Sequence, residues 1–177
     1  MRKPRVLLDQ ARYHVTARAN RKEMILDSSR AKALFLTIVA QAKKRYSFRI
    51  DNFIVMGNHF HLIIQPGKGI SLSRIMQWIL SVFAQAYNRL HGVTGHVWGE
   101  RFFSRIIRNI GEYLLIFDYI DGNPVKAGLI DFCGDWIFGG LNFRRRGIRE
   151  VIDPLPSYVS LLVPRHRQLA LEYRKGV

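Results

Sequence analysis

Ile54-Val55-Met56-Gly57-Asn58-His59-Phe60-His61-Leu62-Ile63-Ile64-Gln65-Pro66 reads as the close of one β-strand, a tight turn at Gly57-Asn58, and a second strand ended by proline. Phe48 to Met56 supplies the first arm, so the two strands form an antiparallel hairpin. Side chains alternate along a strand, which sends Phe60, Leu62 and Ile64 to one face as core and His59, His61, Ile63 and Gln65 to the other. His59 and His61 therefore share a side, about 7 Å apart along the strand. They can converge on one divalent ion if a neighbouring element adds a third ligand. The alternative is a strand whose two half-buried histidines are satisfied by backbone carbonyls. Six histidines in 177 residues produce a His-x-His by chance in roughly one such chain in five, so the surrounding elements have to decide.

Upstream, Ala11 to Arg18 alternates as a strand, with Tyr13, Val15 and Ala17 on one face and His14, Thr16 and Arg18 on the other. His14 can face the same site as His59 and His61, or serve packing alone. Ser28 and Ser29 can cap a helix running to about Lys44, in which Ala31, Leu34, Phe35, Ile38, Val39 and Ala42 follow helical spacing. Downstream of the hairpin, Pro66-Gly67-Lys68-Gly69 breaks the chain before a long helix from about Leu72 to Leu90, whose stripe holds Ile75, Ile79, Val82, Phe83 and Ala86. Val97 to Arg108 is a further strand candidate. Strand, helix, strand, strand, helix, strand is the split βαβ order, so the expected fold is α+β: a ferredoxin-like βαββαβ sandwich with an antiparallel sheet.

Arg101-Phe102-Phe103-Ser104-Arg105-Ile106-Ile107-Arg108 interleaves cations with aromatic and aliphatic residues, which suits either a strand offering charge to a phosphate backbone or an ordinary solvated face. Asn109 can cap a helix from Ile110 to about Asp121, with Glu112 completing the capping box. On that helix Tyr113 falls with Ile110, Leu114, Phe117 and Ile120 on the apolar stripe and reads as core. Tyr119 lies off the stripe, one turn before Asn123 and so beside it. Pro124 disfavours helix from Asn123 onward, which would leave that amide at a frayed end and free to reach outward. A tyrosine at a helix end can equally be plain packing.

Lys plus Arg number 28 against 13 Asp plus Glu, a net charge of +15, which points to a polyanionic partner. The cations are dispersed among strands and helices and no segment reaches the roughly 18 apolar residues of a spanning helix, so nucleic acid is favoured over membrane. Cys133 alone leaves no internal disulfide and no cysteine-built zinc site. The basic start Met1-Arg2-Lys3-Pro4-Arg5 has no apolar run like a secretory signal, and a cytoplasmic location is expected. Residues 1–130 are expected to form one domain and 131–177 a C-terminal extension. In the extension Trp136, Ile137, Phe138, Leu141 and Phe143 can pack as a satellite cluster, and Arg144-Arg145-Arg146 can either grip nucleic acid or be solvated. No phosphate-binding glycine loop occurs.

Four ordered blocks carry a resemblance: Tyr13-His14-Val15-Thr16-Ala17-Arg18-Ala19-Asn20-Arg21, Met56-Gly57-Asn58-His59-Phe60-His61-Leu62-Ile63-Ile64, Gly99-Glu100-Arg101-Phe102, and Asp118-Tyr119-Ile120-Asp121-Gly122-Asn123-Pro124-Val125-Lys126-Ala127-Gly128-Leu129. In content and order they resemble the Y1 transposases, the IS200/IS605-like HUH group that acts on single-stranded DNA, and most nearly its REP-associated branch. The resemblance implies that His59 and His61 bind a divalent metal, Mg²⁺ or Mn²⁺, with Asn123 as third protein ligand. It further implies Tyr119 as the nucleophile that forms a 5′-phosphotyrosine link with single-stranded, hairpin-containing DNA. Phosphate contacts are expected from Arg18, Arg101, Arg105, Arg108 and Lys126, in a monomer or homodimer. Gly57 stands where the family often has proline, and Trp136-Ile137-Phe138-Gly139-Gly140 departs from the family's usual segment there. The competing reading is a non-catalytic basic nucleic-acid binder of the same fold.

Overall fold

The computed structural model describes residues 8–163. Strands β1 (Tyr13–Arg18), β2 (Phe48–Val55), β3 (His59–Pro66) and β4 (Phe103–Ile106) form one sheet in the order β2-β3-β1-β4, every neighbouring pair antiparallel. Helices α1 (Ser29–Arg45) and α2 (Leu72–His91) form the two crossovers, which makes the sheet the expected ferredoxin-like βαββαβ. Ser28 Oγ accepts the Ala31 N–H at 3.1 Å and caps α1, and Gly57-Asn58 turns β2 into β3 with Met56 N–H bonded to the His59 carbonyl at 2.9 Å.

Both faces of the sheet are covered. Tyr13, Val15, Ala17, Phe60, Leu62 and Ile64 point toward α1 and α2 and meet Phe35, Val39, Ile75, Ile79 and Phe83 in the larger core. On the other face Ile54 and Ile63 meet Tyr113, Phe117 and Ile120 of α3 (Ile110–Lys126), together with Met56, Val159 and Val163. The expected alternation in β3 is present, but its histidine side is also roofed: Ile63 is fully buried and His61 is 5% exposed.

A β-bulge decides how α3 is held. The β2–β3 register slips between Ile50 and Asn52, so the extra residue, Asp51, turns Asn52 and Ile54 to the α3 face. Asn52 Nδ2 then donates to the Phe117 carbonyl at 3.3 Å and to Asp121 Oδ1 at 3.0 Å, and Tyr113 Oη donates to Asp51 Oδ2 at 3.1 Å. Arg12 Nε closes on the same Asp51 oxygen at 2.7 Å.

Several expectations from the sequence are corrected. Helix α3 does not end near Asp121: it runs through Pro124 to Lys126 and stops at Gly128, which takes the left-handed conformation (φ +67). Pro124 is buried against the rest of the fold, which offsets the lost helical bond. Beside it, Asn123 Nδ2 donates to the Tyr119 carbonyl at 2.7 Å, so that amide nitrogen is tied to the helix and not free. The strand expected over Val97–Arg108 shrinks to Phe103–Ile106, preceded by a single bridge between Trp98 and Ala19. Gly99 presses on the end of β1, where a Cβ would lie 3.2 Å from Asn20 Cα, and the pairing there is limited to the bonds from Asn20 N–H to the Val97 carbonyl and from Gly99 N–H to the Arg18 carbonyl.

Residues 136–153 pack along β2, the edge strand of the sheet, while Val159 and Val163 lie with α3. Phe138 accepts the Val55 N–H through its carbonyl at 3.0 Å, Trp136 Nε1 donates to the Val55 carbonyl at 3.0 Å, and Ile54 bridges to Gly139. Gly140 begins the short helix α4 (Gly140–Arg145) so close to β2 that a Cβ would sit 2.2 Å from Asn52 Oδ1. Phe138 and Phe143 join the larger core and Trp136 the smaller, so these aromatics do not form a separate satellite, while Ile137 is exposed. Arg144 is partly buried and turned toward β2. Its guanidinium donates to the Asp51 carbonyl at 2.8 Å and to Asn52 Oδ1 at 2.9 Å, and lies 4.7 Å from the centre of the Phe117 ring.

Candidate active site

The histidines of β3 stand opposite β1 in register: Arg18 faces His59 and Thr16 faces His61. The ring centres of His59 and His61 are 5.1 Å apart with planes at 86°. Each ring has its Nδ1 engaged. His59 Nδ1 is 2.8 Å from Asn58 Oδ1, and His61 Nδ1 is 3.0 Å from His14 Nε2. His61 Nε2 is buried and meets no hydrogen-bond partner among the described residues. The Asn123 side chain lies beside His59, and its nitrogen is already committed to the Tyr119 carbonyl.

Burial, reinforced by the positive charge of Arg105, lowers His14 to about 4. Burial and its neighbours His14, His59 and Arg18 lower His61 to about 3. Burial first, then Arg18, also pulls His59 below its ordinary value. All three rings are thus neutral at pH 7, the state in which an imidazole has a lone pair to give a metal.

Tyr119 is 41% exposed on the flank of α3, with its ring centre 5.3 Å from that of His61 and 6.1 Å from that of His14. Tyr113, by contrast, is buried at the α3–sheet interface, and burial pushes its phenol up. Tyr119, His59 and His61 line an open groove of about 680 Å³ whose walls include Arg18, Arg101 and Phe103.

The donor set fits a metal. Two imidazoles sharing one ion, each nitrogen about 2.1 Å from it, hold their ring centres about 5 Å apart, which is the separation found. An orphaned, buried His61 Nε2 beside them is costly unless something accepts its lone pair. Among the described residues, no group of three or more His, Cys, Asp or Glu converges as a metal cage; the third side chain beside His59 is the amide of Asn123.

The expected cations separate by position. Arg18 and Arg101 line the groove, and Lys126 Nζ lies 5.2 Å from the Tyr119 ring centre. Arg105 pairs in register with His14 and is ion-paired to Glu112. Arg108 faces a different recess of about 290 Å³ with Arg12 and Tyr158. Sequence reasoning took Asn58 only for a turn residue and Phe103 only for a packing one. In fact Asn58 orients His59, and Phe103 is 59% exposed in the groove. Asn58 sits one position before the His strand, the one local signal for its role; Phe103 could be found only from the pairing of β4 with β1.

Residues 8–123 match the family described as "Transposase IS200 like". The chain belongs to the IS200-like transposase family. Among similar proteins is a REP-associated tyrosine transposase of Escherichia coli (strain K12), 30% identical over 101 residues. That alignment covers 56% of this chain, and the chain spans 58% of that relative's length. The solved structure of a REP-associated tyrosine transposase bound to a REP hairpin matches this IS200-like chain with a TM-score of 0.70. It is 23% identical over 88% of this chain and 92% of that one, a likeness of fold. Among the described residues no helix is long and apolar enough to cross a membrane.

Proposed function

We propose that this chain is a single-strand DNA transposase and endonuclease that cuts and rejoins DNA through a 5′-phosphotyrosine bond made by Tyr119, with Mg²⁺ or Mn²⁺ held by His59, His61 and Asn123. The observation that carries the reading is a half-exposed phenol in a basic groove, 5.3 Å ring to ring from an imidazole whose buried Nε2 has no partner among the described residues. Metal dependence is general in the family, and a divalent ion bound there would polarise the scissile phosphate and offset its charge.

Arg18 and Arg101 hold the phosphate backbone along the groove wall, and Lys126 brings a further positive charge beside the phenol. The Tyr119 oxygen forms its bond to phosphorus as the bond to the 3′ oxygen breaks. The phenol gives up its proton to solvent, the leaving 3′ oxygen takes one up, and the phosphodiester energy is kept in the tyrosyl ester. Attack by a 3′-hydroxyl reverses the step, so no nucleotide triphosphate is consumed. A hairpin-bearing single strand is the proposed substrate, by analogy with the hairpin in the related solved complex.

The test uses a hairpin oligonucleotide labelled on the 3′ side of its cleavage site, incubated with Mn²⁺ and run on a denaturing gel. Wild type gives a protein–DNA adduct that EDTA prevents and Tyr119→Phe abolishes. An adduct with Tyr119→Phe refutes the assigned nucleophile. Cleavage without adduct means water is the nucleophile, and binding with neither favours the basic nucleic-acid binder.

A further inference from the structure

His14 is the one imidazole of the cluster that the proposed chemistry does not use, and its geometry argues against a ligand role. Its Nε2 points at His61 Nδ1, 3.0 Å away, and the three rings do not converge as a cage. Only one arrangement of protons satisfies both the hydrogen bond and the metal reading. For His61 Nε2 to offer a lone pair, the ring proton must sit on Nδ1. His61 Nδ1–H then donates, and His14 Nε2 must be the acceptor. Asn58 Oδ1, 2.8 Å from His59 Nδ1, does the same for the neighbouring ring, so both histidines are left with an unprotonated Nε2.

We propose that His14 is a positioning residue: by accepting from His61 Nδ1–H it fixes that ring's tautomer and orientation, so that Nε2 is presented as a metal-binding lone pair. The inference rests on the metal reading above. A hydrogen-bond partner of this kind on the far nitrogen of a metal-bound histidine commonly changes metal affinity by about 10–100-fold.

The experiment has two arms. Histidine-selective ¹⁵N NMR of metal-free wild type at pH 7 reports the His61 tautomer directly; Nδ1–H with bare Nε2 is expected, and Nε2–H overturns the proposal. Mn²⁺ titration followed by EPR of the free ion then compares variants. His14→Phe, which keeps the ring volume but cannot accept, is expected to weaken Mn²⁺ binding at least tenfold, and His14→Gln, whose carbonyl can accept, to recover most of it. Wild-type affinity in His14→Phe overturns the proposal. His59→Ala and His61→Ala separate the two failures. If they too bind Mn²⁺ as wild type does, the metal reading has failed. If they lose binding while His14→Phe does not, only the role of His14 has.

Discussion

Arg144→Met separates a structural arginine from a nucleic-acid contact. Methionine keeps an unbranched apolar stem against Phe117 and removes the guanidinium. The Asp51 carbonyl and Asn52 Oδ1 then lose donors at 2.8 and 2.9 Å. Orphaning a buried acceptor costs about 1–3 kcal/mol. Asn52 Oδ1 keeps the Phe53 N–H at 3.0 Å, which puts its share at the low end. The Asp51 carboxylate keeps Arg12 and Tyr113 but loses a second cation below it; burial lowers Arg144 only to about 10, so that charge is present at pH 7. The sum is about 3–4 kcal/mol, a large part of the about 5–15 kcal/mol that holds a domain of this size together. Urea unfolding followed by the fluorescence of Trp78, Trp98 and Trp136 measures it. A loss below about 1 kcal/mol, or an unchanged midpoint together with weaker and less salt-dependent DNA binding, refutes the reasoning.

Glu112 caps α3 by accepting the Arg108 N–H at 2.8 Å and pairing with Arg105, and those contacts hold its carboxyl below 4.5. The folded state therefore binds this proton less readily than the unfolded chain, and the stability it contributes is present above pH 4.5 and lost as pH falls below it. Glu112→Gln is expected to flatten that part of the acid limb in pH-dependent melting; an unchanged limb contradicts it. Arg101→Ala is expected to lower the salt dependence of single-strand binding by about 0.7 in log–log slope, whereas Arg108→Ala, in the separate recess, leaves it alone; equal slopes would mean that the groove is not the DNA path. Phe103→Ala is expected to weaken oligonucleotide binding by about tenfold through lost base stacking, read by fluorescence anisotropy, and a change under twofold rules out stacking there.

The parts of the site legible in the sequence are those set by local periodicity. The turn of α3 separated Tyr113 from Tyr119, and the pleat of β3 put His59 and His61 on one side, because both phases are fixed within a few residues. What lay hidden depends on long-range pairing. The bulge at Asp51 flips Asn52 toward α3 without any glycine to mark it, since a bulged residue near the right-handed helical region needs none. Pro124 reads as a stop because its lost hydrogen bond is a local cost, whereas the burial that offsets it comes from the tertiary fold. Arg144 sits in a run of three arginines that looks solvated, and only the approach of Gly139-Gly140 to β2 carries it under Phe117. His14 was visible as a strand histidine, but whether it meets His61 or solvent depends on the β1–β3 register.

The covering of the histidine face also explains why the helix is held by polar bonds. Apolar packing of Phe117 and Ile120 on Ile54 and Ile63 supplies most of the attraction but is tolerant of rotation about the helix axis, because dispersion contacts have no direction. One residue of slip would turn Tyr119 by about 100°, away from His61. The directed bonds from Asn52 to the Phe117 carbonyl and Asp121, and from Tyr113 to Asp51, each name one partner on the helix and are satisfied in one rotation alone. Buried polar groups are expensive when unmet, so the same network that costs desolvation penalises every slipped alternative. A fold that needed only a core could have used leucines at 51, 52 and 121. Aspartate, asparagine and aspartate there instead fix the rotation of α3 on the sheet, and with it the place of the Tyr119 ring beside that of His61.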